Sequence, residues 1–241
     1  MLSARGITKR YGGVVALDNV DFTCAKGEVV GLMGDNGAGK STLIKILCGA
    51  EKQDGGIIEV KGKQTNFRSP REASLGGVSV VYQDLALVGL MDVARNVFLG
   101  HELTKIGFLQ IRKMRSQSTE LLSNLKINIA STRLLVGDLS GGQRQSIAIA
   151  RAVRLGGDIV LLDEPTAALG PEQQSNVLKI IEKLRDSGKS VVVISHNIEH
   201  VMSVSNRIVV MRAGKVVGSL ETSKTDAAEV VGLIVGNAQK V

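Results

Sequence analysis

The stretch Gly34-Asp35-Asn36-Gly37-Ala38-Gly39-Lys40-Ser41-Thr42 follows the apolar run Val29 to Met33 and leads into Leu43-Ile44-Lys45-Ile46-Leu47. That order predicts a strand, a glycine loop and a helix. Gly34, Gly37 and Gly39 allow positive φ and remove the Cβ atoms that would keep a backbone away from an anion. Successive N–H groups can then turn inward, and the free N–H groups opening the helix add partial positive charge. Lys40 is spaced to reach the outer phosphates of a nucleotide, and the Ser41 hydroxyl to ligate a bridging Mg²⁺. The stretch reads as a phosphate-binding loop.

Outward from it, the 241 residues suffice for one domain, or for a core with a lobe inserted in it. No apolar run is long enough to cross a bilayer, and the first residues are not followed by a signal-peptide core, so a cytoplasmic protein is expected. Cys24 and Cys48 stand alone, outside any zinc or redox spacing, and read as small buried residues. The formal net charge is +7, yet the chain has only two Tyr, four Phe and no Trp. That is too few aromatic platforms for a reader of single strands, and no nucleic-acid partner is expected. Lys105, Arg112, Lys113 and Arg115 supply part of the excess and read as a solvated helix face, with a membrane surface as the alternative.

Strands are expected around a turn at Gly12-Gly13, with Tyr11 upstream of the glycine loop. Gln53-Asp54-Gly55-Gly56 reads as a turn before a strand at Ile57 to Val60, and Val78 to Val81 as a buried strand ending at Tyr82-Gln83. The character changes beyond Gln83: an apolar stretch from Leu85 to Leu99, a loop over Leu103 to Leu109 and a helix over Ile111 to Leu125 suggest an inserted helical lobe. Ser140 in Leu139-Ser140-Gly141-Gly142-Gln143 resembles an N-cap. Ile159 to Asp163 and Ser190 to Ile194 are continuous apolar strands of the kind buried on both faces, and helices are expected at Pro171 to Leu184 and Ile198 to Val204. A terminal hairpin, Ile208 to Arg212 and Lys215 to Leu220, precedes a helix over Asp226 to Val235. The alternation predicts an α/β fold with a largely parallel sheet and a nucleotide at the carboxyl ends of its strands.

At that edge Asp163 can hold Mg²⁺, and Glu164 becomes the candidate general base for an attacking water. Gln83 offers an amide oxygen to the metal or the water, and His196 follows a buried strand toward the γ-phosphate. Ser140, the two glycines and a helix N-terminus make a second anion site, which one γ-phosphate does not need from the same molecule. Such a site suits the nucleotide of another copy.

From about Leu2 to Gly236 the chain resembles the ATP-binding subunits of ABC transporters. The resemblance rests on six motifs in order: Tyr11 as the adenine-stacking aromatic, Walker A (Gly34 to Thr42, including Asn36 and Ala38), the Q-loop at Gln83, the signature Leu139 to Gln143, Walker B with its glutamate (Ile159 to Glu164), and the switch His196. It implies a RecA-like P-loop NTPase core with an N-terminal antiparallel β subdomain, over about 1–84 and 155–241, and an inserted α-helical subdomain over about 85–154. It also implies ATP and Mg²⁺ as ligands. Two ATP molecules would be sandwiched in a head-to-tail homodimer, each facing Ser140, Gly141, Gly142 and Gln143 of the opposite subunit. A membrane permease would dock on the apolar stretch after Gln83, which puts the chain at the cytoplasmic face of the membrane.

The loop Ala167-Ala168-Leu169-Gly170 departs from the family's usual Ser-Ala-Leu-Asp and lacks its carboxylate. That wording, with Tyr82-Gln83-Asp84-Leu85-Ala86-Leu87 and Ile194-Ser195-His196-Asn197, is similar to the ATPases of bacterial monosaccharide importers of the ribose, xylose and fructose type, which also use an extracytoplasmic sugar-binding protein. An exporter or lipid-extracting ATPase would carry the same six motifs. Non-transport relatives that act on nucleic acid usually add a coiled-coil insertion, zinc cysteines or a second ATPase domain, none of which these 241 residues contain.

Overall fold

The computed structural model describes residues 1–236. Leu2–Tyr11 (β1) and Val14–Cys24 (β2) form an opening hairpin, followed by Val29–Gly34 (β3), Lys40–Leu47 (α1), Gly55–Val60 (β4), Lys63–Thr65 (β5), Pro70–Leu75 (α2) and Val78–Val81 (β6). Then come Val93–Phe98 (α3), a short hairpin of Thr104–Lys105 (β7) and Phe108–Leu109 (β8), Ile111–Asn124 (α4) and Gly141–Arg154 (α5). Ile159–Asp163 (β9), Pro171–Asp186 (α6), Ser190–Ile194 (β10), Ile198–Val204 (α7), Arg207–Arg212 (β11), Lys215–Glu221 (β12) and Ala227–Val235 (α8) complete the described residues.

Two sheets carry the fold. The larger runs β12-β11-β3-β10-β9-β6 and is parallel except for β12 at its edge; the smaller, β2-β1-β4-β5, is antiparallel throughout. Side chains of the central strands alternate between two cores, as a period of two requires. Val30, Leu32, Leu161, Val192 and Ile194 pack with the antiparallel sheet and α1, whereas Val29, Val160, Leu162, Val191 and Val193 pack with residues of α3, α5 and α6. This two-sided burial is why these strands read as unbroken apolar runs. Both cysteines are buried within the first core.

Residues 85–154 add no strand to either large sheet; α3, α4 and α5 pack on one another and on the second face of the parallel sheet.

Three expectations need correction. Gly55 and Gly56 belong to β4 rather than to a turn, because Gly56 (φ 93) lies so close to β1 that a Cβ there would stand 2.6 Å from the Arg5 carbonyl oxygen. Glycine admits a contact there that the turn reading missed. The expected loop over Leu103 to Leu109 contains the β7–β8 hairpin, too short to show period-two alternation. Arg115 is not on a free solvated face: its guanidinium lies 3.0 Å from Asp92, the residue that caps α3 by accepting from the Arg95 N–H.

Gly31 lies in the middle of β3, where an added Cβ would sit 2.2 Å from Val201 Cγ1 of α7. Overpacking of a buried site costs about 1–3 kcal/mol. Gly31→Ala should therefore lower unfolding stability by about that amount in a urea titration, and adding Val201→Ala should return part of it. Equal stability of Gly31→Ala and wild type would contradict this packing.

Candidate functional site

The parallel register brings the functional residues to one edge. Asp163 pairs with Ile194, Leu32 with Ile194, and Gly34 with Met211, so the loops leaving β3, β9 and β10 share the carboxyl end of the sheet. Gly34, Gly37 and Gly39 all have positive φ, at 148°, 79° and 101°. Gly39 is the N-cap of α1, and a Cβ on it would stand 2.7 Å from the Ala16 carbonyl oxygen, so α1 can start this close beneath β2 only with glycine. Lys40 is only 7 % exposed; its Nζ donates to the carbonyls of Gly34 (2.7 Å) and Asp35 (2.9 Å). An ammonium has three donors, so one is left to other partners.

Facing this loop are Asp163 and Glu164. Glu164 adopts φ 49°, a left-handed conformation that costs energy for a residue with a Cβ, and its N–H donates to the Ile194 carbonyl at 2.9 Å. Its Oε1 is buried without a hydrogen bond, although His196 Nε2 lies 3.3 Å away. Burial raises the pKa of both acids. For Asp163 the opposing influences are the charges of Lys40, His196 and Lys45; for Glu164 the opposition comes first from His196, and the Asp163 charge adds to the rise. Burial lowers the pKa of Lys40 against the charges of Glu164, Asp35 and Asp163. The site is a partly desolvated set of opposite charges.

These groups line an open pocket of about 450 Å³ that also holds Tyr11, Asn36 to Thr42 and Gln83. Of the Gly34 to Thr42 stretch expected to meet a nucleotide, Gly34 and Asp35 do not line this pocket; their carbonyls instead accept from Lys40. Tyr11 is 45 % exposed, with Lys9 Nζ 5.2 Å from its ring centre. Val14, Val15 and Ala16 line the same end, an apolar platform the sequence reading passed over. Its only signal was the Val-Val-Ala run just past the Gly12-Gly13 turn. Gln83 stands in an exposed loop that Arg151 of α5 holds by donating to the carbonyls of Leu85 (2.6 Å) and Ala86 (2.7 Å).

Ser140 to Gln143 are not in this pocket. Ser140 is exposed and caps α5: its Oγ accepts from the Gln143 N–H at 3.3 Å while Gln143 Oε1 accepts from the Ser140 N–H at 3.1 Å, a reciprocal capping box. Ser140, Gly142 and Gln143 line a separate groove of about 580 Å³ with residues of the α4–α5 connection and α6. Gly142 is required by packing there, since a Cβ would meet Gln173 at 2.8 Å. Gly170 opens α6 without a side-chain cap.

The raised pKa of Glu164 has a stability consequence. A folded-state pKa above the unfolded value means that the folded chain binds the proton more tightly, so this group's contribution falls as pH rises from the unfolded value through the folded one. Glu164→Gln, which mimics the protonated acid, should therefore raise the melting temperature more at pH 7.5 than near pH 4, as read by calorimetry. A gain that is equal or larger at low pH would contradict the assigned burial cost.

Comparison with known proteins gives the family. Residues 17–167, well over half of the chain, match the family described as ABC transporter. The xylose/arabinose import ATP-binding protein of Sulfolobus acidocaldarius is 43% identical over 230 residues, 95% of this chain and 92% of that protein. The fructose import ATP-binding protein of Rhizobium meliloti is 45% identical over 89% of this chain and 86% of its own length. A ribose import ATP-binding protein of Caldanaerobacter subterraneus subsp. tengcongensis is 38% identical over 100% of this chain, which spans only 48% of that relative. Among solved structures, a dimeric ATP-binding cassette in a post-hydrolysis state bound to ADP and Pi superposes with a TM-score of 0.78 at 28% identity, covering 92% of this chain and 99% of that one. A nucleotide-free cassette from an ABC transporter gives 0.84 at 25% identity, covering 97% and 98%. Its fold is that of solved ATP-binding cassettes, and the chain belongs to the ABC transporter family as one of its ATP-binding cassettes.

Proposed function

We propose that the chain binds and hydrolyses ATP to power import of a monosaccharide through a separate membrane permease. One observation carries the mechanism: two surfaces suited to phosphate, the Lys40 pocket and the Ser140 helix terminus, line different cavities of one molecule. Two copies placed head to tail would bring each Ser140 to Gln143 segment against the other's Lys40 loop, closing on ATP and opening after hydrolysis. The names of the xylose/arabinose, fructose and ribose relatives support a pentose or hexose as the transported substrate.

Within each site Tyr11 would stack on adenine, and Asn36 to Thr42 would wrap the phosphates. Ser41, Gln83 and Asp163 line one pocket and offer hydroxyl, amide and carboxylate oxygens, a donor set that suits Mg²⁺. Together they would hold the ion. When bound, it neutralises charge on the β- and γ-phosphates. Glu164, its basicity raised by burial and its Oε1 unpartnered, would take the proton of the attacking water. His196, 3.3 Å from that oxygen, would orient it and contact the γ-phosphate.

Residues 85–154 would act as the helical subdomain, moving against a core of 1–84 and 155–241. The stretch after Gln83, with Leu90 90 % exposed, offers apolar surface to the permease, and an extracytoplasmic sugar-binding protein would deliver substrate from outside. No helix among the described residues is long and apolar enough to cross a membrane; as the ATPase of an importer the chain would sit on the cytoplasmic face, held there by its permease.

The test is uptake of labelled ribose, xylose, arabinose, fructose and galactose in cells lacking the protein. Wild type should restore uptake of at least one sugar and Glu164→Gln should not, while purified Glu164→Gln should lose about 100-fold or more in ATP turnover and accumulate as an ATP-bound dimer on gel filtration. Unchanged uptake of every sugar on deletion would overturn the importer reading. A Glu164→Gln protein that hydrolyses ATP normally would remove Glu164 as the base.

A further inference from the structure

The β7–β8 hairpin is rooted and its tip is bare. Leu103 and Ile111, on either side of it, pack against the core of the helical region, and the Gln110 N–H donates to the Leu103 carbonyl at 2.7 Å. Gln110 Nε2 also donates to the Thr104 carbonyl at 3.0 Å. Lys105 pairs with Phe108 across a two-residue turn, Ile106-Gly107. Beyond that anchored base, Ile106 is 88 %, Phe108 79 % and Leu109 50 % exposed.

The turn contains a conflict that burial within this chain does not explain. Ile106 has φ 51° and Gly107 φ 78°, the pattern of a type I′ turn, whose first central position favours Asn, Asp or Gly. A β-branched residue with positive φ is a genuine outlier, strained by its own branched side chain. Here that strained residue is also placed in open solvent. Both local backbone energy and solvation therefore favour a small polar residue at position 106. The isoleucine makes sense where the tip meets an apolar medium.

The surrounding charges identify that medium. Lys105, Arg112 and Lys113 are exposed, and none forms an ion pair among the described residues. Glu102, also exposed, is the nearby acid, and its Oε1 accepts from the Gly100 N–H. Lys105 and Phe108, as cross-strand partners, put a cation with a long apolar stem beside an aromatic ring on one face of the hairpin. An apolar wedge with unpaired cations around its base is complementary to a bilayer surface with anionic headgroups. Three apolar side chains are also far short of the roughly 1,200 Å² that a stable protein interface buries. We infer that the hairpin tip, Ile106 to Leu109, inserts into the headgroup region of an anionic membrane while Lys105, Arg112 and Lys113 engage lipid phosphates. This gives the chain a lipid contact of its own, beyond any permease contact and independent of the transported sugar.

The experiment is co-sedimentation of the full chain with phosphatidylcholine vesicles prepared with and without phosphatidylglycerol. Wild type should pellet with the anionic vesicles and hardly at all with neutral ones. Lys113→Glu should weaken binding by about fivefold or more, the equivalent of one lost cation at an anionic surface. Ile106→Asn should lose most of the binding yet melt no lower than wild type, since it relieves the turn, with ATP turnover in solution unchanged. That opposition of signs separates insertion from misfolding. Failure of wild type to bind anionic vesicles overturns the inference, as does full binding by both Ile106→Asn and Phe108→Thr. Unaltered vesicle binding by Ile106→Asn with weakened assembly on permease-containing membranes would assign the hairpin to a protein partner instead.

Discussion

The ammonium of Lys40 is the interaction on which the site depends. It is nearly buried, turned into its own loop by the Gly34 and Asp35 carbonyls, and faced by the carboxylates of Asp163 and Glu164. Placing these charges in one partly desolvated pocket is costly unless the backbone holds them in position. That is the work of the parallel sheet, whose register makes the ends of β3, β9 and β10 coincide. The sheet is rigid because its two faces are buried by different partners, so the spacing between loop and acids is set by strand pairing and not by the loops alone.

The second constraint is connection. Arg151 holds the segment just past Gln83 to α5, and the same helix begins at Ser140. The buried Asn96 adds to this anchorage, bonding to the backbone of Val88 through both its amide oxygen (2.8 Å) and nitrogen (3.0 Å). A displacement of Gln83 is thereby tied to the helix whose N-terminus we propose as the other phosphate surface. This is a continuous chain of hydrogen bonds and helix, the kind of link through which nucleotide state can move a lobe.

Much of this was legible in the residues. Val29 to Met33 and Ile159 to Asp163 read as buried strands because two-sided burial gives unbroken apolar runs, and Ser140 ahead of a helical run read as its N-cap, although its reciprocal bond with Gln143 was not read there. Other features depend on tertiary contacts that leave no periodic trace. Gly55 and Gly56 looked like a turn because their close approach to β1 is visible only in three dimensions. Arg115 looked solvated because Asp92, its partner, is 23 residues away. The β7–β8 hairpin was too short to alternate, and its Ile-Gly turn lacks the Asn or Asp that marks such turns. Within the site, Tyr11 and Glu164 could be named in advance, whereas the left-handed backbone of Glu164 could not, since nothing in Asp-Glu-Pro specifies it.

The central claim is that a working site is assembled from two copies, and mixing subunits tests it most directly. Ser140→Arg retains an intact Lys40 loop, and Lys40→Ala retains an intact signature. Neither alone should form an ATP-dependent dimer. Combined and given ATP, they should form a mixed dimer holding one nucleotide, read by differential labelling of the two subunits. No mixed dimer under conditions where wild type dimerises would contradict the head-to-tail account.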